Sequence, residues 1–187
     1  MTQVQVHPFL LAEDIQKCVV QVGRDIRAHY GEGTVIDCVV VLTGAFTFAS
    51  DLVRQIGSPL RLHFVRAASY QGTTSTGNVR VSTPPRLSEC HVLLIEDIVD
   101  TGQTLDNLLR EFRNVLPKSL RAVSLLDKPS RRLPNKPGPD FSGFVISDSF
   151  VVGYGMDWNE RYRELPYIGI IGPSEKRSAL IPPEDST

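Results

Sequence analysis

The 187-residue sequence is poor in the groups that build disulfide frameworks or zinc knuckles. It has three cysteines, Cys18, Cys38 and Cys90, an odd count with no two close in sequence. Neither a disulfide scaffold nor a CxxC metal site is expected. The four histidines, His7, His29, His63 and His91, show no HxxxH or HExxH spacing, which argues against a histidine-bound zinc. No apolar run approaches the ~18 residues of a membrane span. The start, MTQVQVHPF, has no basic segment followed by an apolar stretch, so no secretory signal is expected and the cytoplasm is the expected compartment. Charge of one sign is also missing: 20 Lys and Arg stand against 21 Asp and Glu, a net charge of −1. That balance gives no push toward nucleic acid or an anionic membrane. Neither an internal repeat nor a second-domain boundary is visible. With 41% hydrophobic and 22% charged residues, residues 1–187 read as a single globular domain.

What is present is an alternation of buried strands and amphipathic helices. Residues 10–30 carry Ile15, Val19, Val22 and Ile26 at helical spacing, with Gly31 as a stop. Residues 36–42, IDCVVVL, are a β-branched run suited to a strand covered on both faces. Residues 45–56 predict a second helix, with Phe46, Ala49, Leu52, Val53 and Ile56 on one side. Residues 60–66 alternate as a strand. Residues 68–78, ASYQGTTSTGN, form a long polar loop of the kind that is usually functional or disordered. A strand at 91–98, a helix at 102–115 with Leu105, Leu108, Leu109 and Phe112 inward, and a strand at 121–126 follow. The basic, proline-rich loop 128–140 precedes short strands near 143–147, 150–153 and 167–171, and the tail from Gly172 is expected to fray. The fold class is α/β with a mostly parallel sheet. Ligands on such sheets bind beyond the carboxyl ends of the strands, here just after residues 42, 66, 97 and 126.

The segment VLLIEDIVDTGQTL, residues 92–105, is the most informative. An apolar strand runs into Glu96, Asp97 and Asp100, and Thr101, Gly102, Gln103 and Thr104 then open a helix. Three carboxylates within five residues repel one another. At about 6 Å and an effective dielectric near 20, each pair costs roughly 3 kcal/mol, against a total stability of only about 5–15 kcal/mol. A divalent cation, sugar hydroxyls or bulk water must offset that repulsion. The Thr-Gly-Gln-Thr turn presents free backbone N–H groups and the positive end of a helix dipole, a cradle for a phosphate monoester. Hydroxyls and phosphate a few ångströms apart describe a ribose 5-phosphate. The plain alternative is a solvated strand end with Asp100 and Gln103 as an ordinary capping box.

This segment resembles the phosphoribosyl pyrophosphate (PRPP) signature of type I phosphoribosyltransferases. From about residue 36 to 171 the wider pattern resembles the bacterial-type hypoxanthine-guanine branch of that family. The resemblance implies a type I fold: a mostly parallel central sheet flanked by helices, with a small base-binding hood. It implies a magnesium-dependent transfer of the 5-phosphoribosyl group from PRPP to N9 of hypoxanthine or guanine, a purine salvage reaction. Glu96 and Asp97 would hold the ribose hydroxyls, directly and through Mg2+, and Asp100 would take the N7 proton. Thr101, Gly102, Gln103 and Thr104 would hold the 5′-phosphate, with Gln103 standing where members often have lysine.

Lys128 would donate to the 6-oxygen of the base, Phe150 would stack on it, and backbone groups of Val151 and Val152 would read its far edge. Asp157 would be a further magnesium ligand beside the base, and Arg163 would grip pyrophosphate; Arg132 matches a basic residue of the base-side loop. Thr43 and Gly44 match the pyrophosphate loop, where many members have lysine in place of Thr43 and where the peptide before the glycine is often cis. Ser69 and Tyr70 match the catalytic lid, residues 68–78. Gly72 and Gly77 have the spacing of a phosphate-binding ATPase loop, but Asn78-Val79 replaces the required Lys and Ser/Thr, which excludes that reading. The implied partners are PRPP and a 6-oxopurine, without nucleic acid or membrane, and the relatives are dimers or tetramers. The competing readings are a xanthine-preferring or broad 6-oxopurine enzyme and a PRPP-sensing nucleic-acid-binding regulator. The second lacks the basic stripe it would need.

Overall fold

The structure, a computed structural model, describes residues 5–66 and 87–172. Chain order is β1 (Val6–Leu10), α1 (Ala12–Tyr30), β2 (Ile36–Leu42), α2 (Phe46–Ile56), β3 (Leu60–Arg66), β4 (His91–Val99), α3 (Gln103–Arg113) and β5 (Ser119–Asp127). A 3-10 turn (Pro129–Arg131) leads to β6 (Phe141–Val145), β7 (Val151–Val152) and β8 (Ile168–Ile171). The loop at 68–78, with Ser69 and Tyr70, lies outside the described residues, as does the tail from Pro173.

Among the described residues, five strands form a parallel sheet in the order β3-β2-β4-β5-β6. Its two faces are sealed separately. In β2, Cys38 and Val40 join the core under α1 and α2, and the alternate Val39 and Val41 join the core under α3. This double burial is why residues 36–42 read as an unbroken apolar run rather than an alternating one. Leu105, Leu108, Leu109 and Phe112 of α3 are all buried. Phe46 departs from its expected place: it is 45% exposed, while Ala49, Leu52 and Ile56 turn inward.

A second, antiparallel sheet, β1-β8-β7, packs through Leu10, Val151, Ile168 and Ile170 onto the α1–α2 core. It is the small hood beside the main sheet. Strand β1 carries no alternating apolar signal in VHPFL and is recruited by its register with β8. Among the described residues, no helix is long and apolar enough to cross a membrane.

The order of the main sheet reverses between β2 and β4: from β2 the chain steps outward to β3, and from β4 it steps the other way to β5 and β6. Such a reversal splays the two connections apart and leaves a crevice at the carboxyl ends of the strands.

Candidate active site

A cavity of about 300 Å³ fills that crevice. Val41, Leu42 and Gly44 line it from the end of β2, and Glu96 to Gly102 with Thr104 line it from the end of β4 and the turn into α3. A second cavity of about 230 Å³ opens beside it, lined by Lys128, Phe150, Val151, Met156 and Asp157. Asp97, Ile98 and Asp100 belong to both. One set of residues therefore forms the wall where two ligands would meet.

Glu96 is buried, 6% exposed, and Asp97 stands next to it. Burial, and then the charge of Asp97, raise the Glu96 pKa well above the usual carboxylate range. Burial likewise raises Asp97, opposed by the backbone N–H of Ile98 and the nearby Arg163. The Ile98 N–H donates to Asp97 Oδ1 at 2.9 Å. Two desolvated acids that resist ionising together are a site for a cation or for hydroxyl donors.

Gly44 is required by this carboxylate. A Cβ placed there would lie 1.7 Å from Asp97 Oδ2. Behind it, a Cβ on Gly155 would lie 2.2 Å from the Gly44 carbonyl oxygen. The backbone at Gly44 is thus sandwiched between Asp97 and the 153–156 turn, with no room for a side chain. The cis peptide of this loop is Leu42–Thr43, one residue upstream of the bond that precedes Gly44. Thr43 itself is exposed, and the cavity is lined by its neighbours Leu42 and Gly44.

The turn into α3 has Gly102 at its N-cap with φ 80°, a conformation that suits glycine. No side chain caps the helix; the Gln103 N–H makes a long 3.4 Å contact with Thr101 Oγ1. Asp100 therefore does not act as half of a capping box. The Gln103 side chain turns along the helix to Asn107 at 3.4 Å, leaving its backbone for a ligand.

Asp100 faces two cations instead. Arg131 Nε donates to Oδ1 at 3.1 Å, and Lys128 Nζ stands 3.8 Å from Oδ2. Lys128 is 5% exposed. Burial lowers its pKa, opposed by Asp100 and Asp148. The carboxylate repulsion expected from the sequence is thus answered for Asp100 by the base-side loop.

That loop is fastened along the turn at four places. The Lys128 N–H donates to Val99 O at 3.0 Å, Arg132 Nη1 to Asp100 O at 3.0 Å and the Leu133 N–H to Thr101 O at 3.1 Å. Lys136 Nζ pairs with Asp106 at 2.5 Å. A Cβ on Gly102 would meet Arg132, Lys136 and Pro137, each within 3.0 Å. Arg132 also pairs with Asp127, so it is held inside the wall rather than offered to a ligand.

On the far side, Arg163 Nη2 pairs with Asp157 Oδ1 at 2.7 Å, and its Nη1 donates to Gly155 O at 2.7 Å. The Glu160 N–H donates to Asp157 Oδ2 at 2.8 Å. Phe150 is 53% exposed at the rim of the second cavity, and Val151 is buried in β7. Of the expected site residues, Gly44, Glu96, Asp97, Asp100, Thr101, Gly102 and Thr104 line the first cavity, and Lys128, Phe150, Val151 and Asp157 line the second. Thr43, Gln103, Arg132, Val152 and Arg163 are not among the residues that line them, and Ser69 and Tyr70 lie outside the described residues. The sequence assigned nothing to Arg131, Ile98, Met156 or Gly155. Arg131 had a readable signal, since it lies just beyond the carboxyl end of β5, where the sheet rule points.

The phosphoribosyl transferase domain model matches residues 13–159, and the chain belongs to that family. The chain is 41% identical over 165 residues to the hypoxanthine-guanine phosphoribosyltransferase of Bacillus subtilis, covering 87% of this chain and 91% of that one. It is 40% identical to the enzyme of the same name from Staphylococcus aureus, covering 88% and 92%. A crystal structure of a hypoxanthine-guanine phosphoribosyltransferase from Bacillus anthracis superposes with a TM-score of 0.83 at 35% identity, covering 91% of this chain and all of that one.

Proposed function

We propose that this chain, acting as a single cytoplasmic domain, transfers the 5-phosphoribosyl group of PRPP to N9 of hypoxanthine or guanine. The observation that carries the reading is the shared wall. A ribose-phosphate cavity and a base-sized cavity meet at Asp97, Ile98 and Asp100.

The turn amides at Thr101 to Thr104 bind the 5′-phosphate at the helix N-terminus. Glu96 and Asp97 take the ribose hydroxyls. They also lie where positive charge grows on the sugar as the C1′–O bond to pyrophosphate breaks. The electron pair leaves on pyrophosphate, which Arg163 and the backbone at Gly44 receive. N9 forms the new bond to C1′, and Asp100 accepts the proton from N7. Lys128 donates to the 6-oxygen and would point a donor at the amino group of adenine. Phe150 covers the base.

Magnesium fits this donor set. Glu96, Asp97 and Asp157 are hard oxygen donors, and the first two are desolvated acids that a cation would relieve. Among the described residues no group of three metal-ligating side chains is preassembled. That suits an ion which keeps waters and takes one or two carboxylates plus substrate oxygens. When bound, the metal supplies Lewis-acid stabilisation to the departing pyrophosphate.

Purified protein with magnesium and PRPP should be offered adenine, guanine, hypoxanthine, xanthine and uracil separately. Nucleotide from hypoxanthine or guanine is expected; nucleotide from xanthine or uracil alone would reassign the base. Lys128→Met keeps the buried volume and removes the charge. It should lower kcat/KM for hypoxanthine about 10- to 100-fold, the worth of a charge-assisted hydrogen bond, and narrow the margin over adenine. An unchanged ratio of the two bases would remove Lys128 from base reading.

We also propose that two copies associate through the groove between α2 and β3. Phe46, Leu62 and Phe64 are exposed there by 45%, 46% and 56%, and among the described residues β3 is a sheet edge. Such apolar edges are normally covered. Light scattering after size exclusion should give twice the chain mass, and Phe64→Glu should halve it. A single-chain mass for the unaltered protein at micromolar concentration would end this proposal.

A further inference from the structure

We infer that Arg131 is a positioning residue for Asp100, holding one carboxylate oxygen so that the other is presented to the base cavity. The inference rests on the phosphoribosyl transfer proposed above.

The two oxygens of Asp100 have different surroundings. Oδ1 accepts Arg131 Nε at 3.1 Å, a hydrogen-bond distance. Oδ2 faces Lys128 Nζ at 3.8 Å, beyond hydrogen-bond length. A 6-oxopurine placed with its oxygen on Lys128 brings its N7–H toward Oδ2. The proton then passes to the oxygen that Arg131 does not occupy.

Arg131 can hold such an orientation because it is itself anchored. It ends the Pro129–Arg131 turn, whose Arg131 N–H donates to Lys128 O at 3.0 Å. Its Nη1 stands 3.5 Å from Asp148 Oδ2, on the connection that leads to Phe150. One guanidinium therefore ties the turn proposed to hold the phosphate to the connection that carries Phe150. The next residue, Arg132, holds the carbonyl of Asp100 at 3.0 Å. Adjacent arginines grip the side chain and the main chain of the same acid. A planar fork serves Asp100 and Asp148 in two fixed directions, whereas an ammonium is a point charge with freely rotating donors.

The test is a double-mutant cycle between Arg131→Ala and Asp100→Asn, with Arg131→Lys as the conservative variant. Arg131→Ala should lower kcat for hypoxanthine about tenfold while KM for PRPP stays within about twofold. That loss is smaller than the roughly 100- to 10,000-fold of losing a general base itself. Arg131→Lys should restore only part of the loss. In the Asp100→Asn background, Arg131→Ala should cost almost nothing more, since the proton acceptor it serves is gone. Thermal unfolding should hardly move, because Arg131 is 46% exposed. An unchanged kcat for Arg131→Ala overturns the inference. So does a tenfold loss that persists in the Asp100→Asn background, which would mark a role independent of Asp100. If the unaltered enzyme forms no nucleotide from any base, the transfer reading fails first and takes this inference with it.

Discussion

Asp100→Asn is expected to lower kcat by about 100- to 10,000-fold, the usual cost of losing a general base, while KM for PRPP changes little. The asymmetry follows from where Asp100 sits. Its main chain belongs to the turn proposed to hold the 5′-phosphate, and the Arg132 bond to its carbonyl is untouched by the substitution. The cradle for the 5′-phosphate therefore survives. What disappears is the acceptor for the N7 proton. Asparagine also gives Arg131 a weaker, neutral acceptor and removes the larger of the two counter-charges, Asp100 and Asp148, that face buried Lys128. Steady-state kinetics with each substrate varied in turn would check this. Full activity in the asparagine enzyme would move the base chemistry to another group.

Gly44→Ala should be comparably damaging for a different reason. The added methyl would fall 1.7 Å from Asp97 Oδ2 and 2.6 Å from its Cγ. Asp97 must swing aside, since the backbone behind Gly44 is blocked by Gly155. A displacement near 1 Å of a group that orients substrate can cost on the order of 100-fold. A loss of at least about that size is expected in kcat/KM for PRPP. Isothermal titration should show PRPP affinity falling with it, which separates this variant from Asp100→Asn. Gly138→Ala is a useful control, because a Cβ there has nothing nearer than Arg132 at 3.8 Å. Equal losses in the two alanine enzymes would show that the steric argument is wrong.

Much of this was legible from the residues. The strands at 36–42 and 60–66 coincide with their expected bounds, because the first is an apolar run that stops at Thr43-Gly44 and the second an alternating run that follows the breaker Gly57-Ser58-Pro59. The acidic stretch and the following turn read as a ribose-phosphate site because carboxylates crowded at a strand end need a cation or hydroxyl donors to offset their repulsion. What could not be read is which charges face one another. Asp100 and Gln103 have capping-box spacing, yet the helix begins at Gln103 with Gly102 in the left-handed region, and Asp100 turns to Arg131, 31 residues away. Contacts of that separation depend on the parallel pairing of β4 with β5, which brings residues 100 and 128 side by side. Strand β1 was hidden for a related reason. Its sequence has weak preference of its own, and only its partner Ile168–Ile171 makes it a strand. Phe46 looked like core by helical spacing, but the sheet ends at β3 and nothing in the chain covers that edge among the described residues.

The bonds between residues 99–106 and 128–136, the Arg131–Asp100 pair among them, mean that the proposed cradle for the sugar phosphate and the proposed shelf for the base are one mechanical body. Filling either one braces the other. Thermodynamic reciprocity then applies without further assumption: whatever factor PRPP contributes to the affinity for a purine, the purine must return to PRPP. Cutting the Lys136–Asp106 fastening should weaken that mutual effect while leaving each substrate's solitary binding nearly intact.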